Sequence, residues 1–121
     1  MKTCRVVIAD NGRTLADLAE IALTARERLM GLMGRDGLPP GEGLLIPNCR
    51  SIHTCCMRFP IDVVYISSRN AVVKIVEDLK PLRLSACWGA QSVLEMASGW
   101  TGKMGLCVGN ALLFRPLDEA G

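Results

Sequence analysis

The chain lacks any apolar run near the roughly 18 residues of a membrane span, so no membrane insertion is expected. Its start, Met1-Lys2-Thr3-Cys4-Arg5, leads into a short apolar piece that Asp10, Asn11 and Gly12 end. A secretory leader needs a longer apolar core, and a cytoplasmic chain is expected. It also lacks runs of like charge. The net charge is +2, spread along the sequence, and nucleic-acid binders concentrate basic charge on one face. Aromatics are scarce: Phe59, Tyr65, Trp88, Trp100 and Phe114 are too few to suggest a base-stacking platform. No nucleic-acid partner is expected. No Cys-x-x-Cys spacing occurs among the six cysteines, so neither a redox pair nor a zinc ribbon is indicated. In a cytoplasm these cysteines stay thiols and serve mostly as small buried apolar residues. No Gly-Lys-Ser/Thr follows the glycine-rich residues 34–43, which excludes a phosphate-binding loop. No cofactor is expected.

What is present suits one globular domain spanning residues 1–121. Half the residues are apolar, and a chain of this length buries roughly two thirds of its unfolded surface. Residues 4–9 read as a first strand, with a turn at 10–12. Residues 15–33 have helical composition throughout. Thr24 and Glu27, however, form a capping box that puts the helix start at Thr24. Residues 18–23 are then extended, and a short helix occupies 25–32. Further strands are expected at 43–47, 51–57, 61–67, 71–79, 92–97 and 110–114, with a loop or helical turn at 99–106. Residues 51–57 and 61–67 read as a hairpin joined at Arg58-Phe59-Pro60. These short strands predict a mostly β fold: a compact antiparallel sandwich or barrel, somewhat jelly-roll-like, with one short helix.

Three stretches carry a resemblance. The first is Arg28-Leu29-Met30-Gly31-Leu32-Met33-Gly34-Arg35, followed by Gly41-Glu42-Gly43-Leu44-Leu45-Ile46. The second runs from Ser51-Ile52-His53-Thr54 through Phe59-Pro60-Ile61-Asp62-Val63 to Ile66. The third is Val93-Leu94-Glu95-Met96 with Gly99 and Gly109. In order and spacing they resemble domain-of-unknown-function family 192. The resemblance implies a compact, mostly β, somewhat jelly-roll-like fold with a small helix. It brings no activity with it. It implies Phe in many relatives where this chain has Cys55, Trp at Leu82 and Asp at Asn110. A second branch carries Trp-Met in place of His53-Thr54 while keeping Asp62, which makes Asp62 the better candidate for a shared role.

The candidate site residues are polar groups set in apolar strands. Asp62 follows Pro60-Ile61, and a carboxylate buried there must be hydrogen-bonded. Its plainer role is to tie down the turn at residues 58–60. Glu95 lies between Leu94 and Met96 and needs a cation, with Arg28, Arg35, Arg58 and Arg83 available. The plainer role for Glu95 is a structural ion pair. The lone His53 is more simply a satisfied strand residue than a base. Cys49, His53 and Cys55 share parity on an extended chain and offer a weak metal reading. Met30, Met33 and Leu29 read as core. The favoured function is a non-catalytic module that binds a small molecule or a protein, with a rim of His53, Arg58, Asp62 and Glu95, acting as a monomer or weak dimer. The alternative is a small hydrolase-like enzyme using Asp62 and Glu95, or His53, as acid and base. A two-residue Phe59-Pro60 turn would place His53, Met57 and Asp62 on one side of the hairpin.

Overall fold

A computed structural model describes residues 2–24, 27, 32, 34–55 and 57–117. The strands are β1 (Lys2–Ile8), β2 (Thr14–Ile21), β3 (Glu42–Pro47), β4 (Ser51–His53), β5 (Ile61–Ile66), β6 (Val72–Leu79), β7 (Leu84–Ala86), β8 (Ser92–Ala97) and β9 (Leu112–Pro116). A single helical turn, α1 (Trp100–Lys103), precedes β9. The protein is mostly β, as expected. The expected helix at residues 25–32 falls largely outside the described residues. Its cap does not: the Glu27 N–H donates to Thr24 Oγ1 at 3.0 Å, and the Thr24 N–H donates to Glu27 Oε1 at 3.1 Å. The helical composition before Thr24 yields to that signal, and Thr14–Ile21 is a strand.

Seven strands form one sheet in the order β6-β5-β8-β3-β2-β1-β9. The sheet curls until a bridge between Ala71 and Ala111 joins its two edges. Neighbouring strands are antiparallel, with one correction: β2 and β3 run parallel. The connection from Ile21 to Glu42 is long enough for the crossover that parallel pairing requires. β5 is buried along its whole length because β6 and β8 flank it and both its faces are covered. Its near-continuous apolar run is the sequence mark of that position.

Two cores result. The first fills the curl, with Val6, Ile8, Leu15, Val64, Leu94 and Leu112 among its members. The second lies on the other face, where Leu44, Val63, Tyr65 and Val93 are covered by Leu32, Leu38 and Met57. Strand alternation assigns each residue of β5 and β8 to one core or the other.

The expected hairpin of residues 51–57 with 61–67 does not form. β4 stops at His53 and pairs with β7 in a separate two-stranded ribbon (Ser51 with Ala86, Ile52 with Ser85, His53 with Leu84). β5 pairs instead with β6 and β8. The cause is a turn after Thr54, closed by the Met57 N–H donating to the Thr54 carbonyl at 3.2 Å. It drops Met57 into the second core.

Candidate functional site

Asp62 is fully buried and its carboxylate accepts four hydrogen bonds. Oδ1 takes the Asp78 N–H at 2.9 Å and the Gly99 N–H at 3.0 Å. Oδ2 takes the Thr101 N–H at 3.1 Å and the Thr101 hydroxyl at 2.6 Å. Opposite Asp62 the β5–β6 register shifts, with Ile61 facing Leu79 and Val63 facing Val76. Asp78 sits in that bulge at φ 54. Gly99, at φ 84, takes the left-handed turn that aims its N–H at the carboxylate. Asp62 therefore ties the bulge to the turn before α1. It does not anchor residues 58–60, the role its sequence position suggested. Asp78 in turn holds Lys80 Nζ and the Ser98 hydroxyl, each at 2.6 Å, and the Lys80 hydrogen bond holds its carboxyl below the usual range.

Glu95 faces the other way. On β8 it pairs with Val63 and Leu44, while Met96 pairs with Asp62. Asp62 and Glu95 therefore project from opposite faces of the sheet, and no acid/base pair forms between them. Glu95 is only 5 % exposed. Among the described residues its carboxyl has no hydrogen-bond or ion-pair partner. Three of the four cations proposed for it are engaged elsewhere. Arg35 pairs with Glu20 at 2.7 Å and Arg58 with Asp36 at 2.8 Å. The Arg83 guanidinium donates to the carbonyls of Pro81 and Leu82. Arg28 lies outside the described residues. Burial pushes the Glu95 carboxyl up to about 7. Strands β3 and β8 approach closely here: a Cβ on Gly43 would meet the Glu95 carbonyl oxygen at 3.0 Å.

His53 is exposed on the outer face of β4, away from both carboxylates. The arrangement with His53, Met57 and Asp62 on one side is overturned: His53 faces solvent, Met57 fills the second core and Asp62 lies on the opposite face of the sheet. Cys49 packs against the second core while Cys55 is exposed, so the shared parity of Cys49, His53 and Cys55 does not survive. No group of three metal-ligating side chains comes together among the described residues. The five described cysteines are free thiols.

The ribbon itself was missed as a site. Thr54, fully buried, anchors it. The Thr54 hydroxyl donates to the Lys80 carbonyl at 2.6 Å and accepts from the Arg83 N–H at 2.9 Å. The Leu82 N–H donates to the Thr54 carbonyl at 3.2 Å. Beneath β7, the Tyr65 hydroxyl donates to Ser85 Oγ at 2.8 Å and Lys74 Nζ to the Ala86 carbonyl at 2.9 Å. Burial raises the Tyr65 phenol above its ordinary range, the Ser85 hydrogen bond opposes this, and Cys49, Cys87 and Glu95 add to the rise.

Within β7, Ser85 faces the second core while Leu84 and Ala86 take the opposite side. Cys87 packs against the second core. Leu82, in the bend before β7, and Trp88, in the turn after it, are exposed. Leu82, Leu84 and Trp88 are 72 %, 82 % and 76 % exposed, more than any other large apolar residue described. Leu82 is moreover held at φ 63, a region a branched side chain rarely enters. The other non-glycine residues there are Asn48, Asn70 and Asp78, types that tolerate it. The sequence signal was the apolar spacing Leu82-x-Leu84-x-Ala86-x-Trp88, in a stretch where no strand was expected. Beside the ribbon an open cleft of about 520 Å³ is lined by Asn48, Cys49, Arg50, Ser51 and Gln91.

The sequence profile of the family described as "Uncharacterized ACR", DUF192, matches residues 6–114. The chain belongs to this family. Two solved structures share the fold of this DUF192 domain. One, from Sinorhizobium meliloti 1021 and provisionally labelled a transcription regulator, is 24% identical, with a TM-score of 0.81 over 93% of this chain and 92% of that one. The other, a protein of unknown function from Novosphingobium aromaticivorans DSM 12444, is 21% identical, with a TM-score of 0.79 over 92% and 83%. No curated protein matches the chain significantly. None of the described helices is long and apolar enough to cross a membrane.

Proposed function

We propose that this DUF192 domain is a non-catalytic binding module, one cytoplasmic domain, whose binding surface is the outer face of the β4–β7 ribbon. One observation carries the reading: Leu82, Leu84 and Trp88 stand exposed along one short segment, residues 82–88, whose backbone is held, at Leu82, in a disfavoured conformation. Strain of this kind persists where the surroundings over-determine it and clusters at binding and switching sites. Here Thr54 supplies the determination. The hydrolase-like alternative loses support, because Asp62 has its acceptor capacity filled by four donors and Glu95 lies across the sheet from it. The S. meliloti label describes that protein and, at this identity, only its fold bears on the present chain.

Photo-crosslinking in cells tests the reading. A benzophenone amino acid at position 84 should yield a defined adduct. The same group at Val108, which is 62 % exposed in the turn before β9 and outside β4 and β7, should yield none. Equal labelling at both positions, or none at 84, overturns the proposal.

A second reading rests on Glu95. A buried carboxyl near Tyr65, without a partner among the described residues, favours a small ligand held between sheet and ribbon. Glu95→Gln abolishing a metabolite-induced thermal shift would support it, and an unchanged shift would exclude it.

A further inference from the structure

We infer that the partner of the ribbon's outer face is an anionic lipid surface, met peripherally by side chains and without a spanning segment. The inference rests on the ribbon being the binding face. Three observations point to lipid.

The first is how freely the apolar side chains stand. At 72 % to 82 % exposure, Leu82, Leu84 and Trp88 hardly cover one another. A protein partner takes up a packed patch or fills a groove, whereas separate protruding anchors suit a fluid interface. The second is residue type. Tryptophan and leucine with cations beside them are what interfacial membrane binders present.

The third is charge. Residues 43–61 and 79–94, which contain the whole ribbon and its flanks, carry no Asp or Glu. They do carry Arg50, His53, Arg58, Lys80 and Arg83. The acids near these stretches contribute little free negative charge to the face, and the exposed Glu77 turns to Gly102 of α1. Asp78 is engaged by Lys80 and Ser98, Asp36 by Arg58, Asp62 is buried, Glu95 is buried, and Glu42 is half-buried on β3. Among the described residues, Arg83 and Arg50 have no carboxylate partner. The Arg83 guanidinium lies on the Leu82 carbonyl at 3.3 Å, and Arg50 Nε donates to the Ala90 carbonyl at 3.2 Å, two residues from Trp88. Anionic headgroups attract basic groups placed in this way.

Trp88 provides its own reporter. The other tryptophan, Trp100, is packed against the first core and its indole N–H donates to the Leu15 carbonyl at 2.7 Å, so a change of solvent at the ribbon registers through Trp88. The full chain is mixed with vesicles of phosphatidylcholine containing about a third phosphatidylglycerol, and with pure phosphatidylcholine vesicles. Co-sedimentation and a blue shift of tryptophan emission are expected with the anionic vesicles, with at least about tenfold weaker binding to the neutral ones and at about 0.5 M salt. Leu84→Ser with Trp88→Ser should weaken co-sedimentation by about tenfold or more while leaving the urea midpoint unchanged. Absence of binding to the anionic vesicles, or binding that the double variant retains, overturns the inference. A protein adduct at position 84 in cells, with no vesicle binding, removes the lipid and leaves the ribbon as the binding face.

Discussion

At the scale of single residues, two carboxylates show how differently burial can be resolved. Asp62 meets four donors and locks a bulge to a turn. Glu95 meets none among the described residues, and its carboxyl rises from an ordinary 4.5 to about 7. The consequence for stability has a definite sign. The folded state holds the Glu95 proton to higher pH than the unfolded state does, so the fold is undisturbed by Glu95 below about 4.5. It loses stability as pH climbs from there to about 7. The loss is on the order of 3 kcal/mol. Glu95→Gln should flatten that slope, leaving stability near pH 4 unchanged and raising it near pH 8 by a similar amount. Urea unfolding of both proteins at the two pH values checks this; equal slopes would mean that Glu95 is paired after all. The sequence exposed both residues, since a charge between apolar neighbours is conspicuous. It did not expose their partners. Those of Asp62 come from β6, from Gly99 before α1 and from Thr101 within it, residues distant in sequence and brought close only by the sheet order.

At the scale of elements, the capping box of Thr24 and Glu27 and the buried run of β5 were legible, because each is a local pattern with a local cause. The pairing of β4 was not. Nothing within residues 51–57 states that Thr54 leaves the strand, because its reason is the loop at 80–83 that it binds. That loop makes Thr54 the hinge of the candidate site. Thr54→Val keeps the shape and removes the hydroxyl, leaving the Lys80 carbonyl and the Arg83 N–H without their buried partner. A cost of about 2–3 kcal/mol is expected, with accelerated amide exchange at Arg83. An unchanged exchange rate at Arg83 would show that the Thr54 hydroxyl does not hold the ribbon.

At the scale of the whole molecule, the domain divides into a curled sheet with two filled cores and a ribbon laid over the second core. The mostly β class was readable from the succession of short apolar strands and turns. The closure of the sheet through Ala71 and Ala111 was not, since a single bridge leaves no periodic mark. The exposed apolar side chains of the ribbon serve binding, on this assignment, and not folding. A folded domain gains almost nothing from apolar side chains that solvent surrounds, and it carries a small cost for Leu82 at positive φ. The most direct measurement is urea unfolding of the variant carrying Leu82→Gly, Leu84→Ser and Trp88→Ser. A stability equal to that of the parent or up to about 1 kcal/mol higher is expected, because glycine relieves the left-handed residue. A loss of more than about 1 kcal/mol would mean that these side chains pack within the fold, and would contradict the assignment of this face as a binding surface.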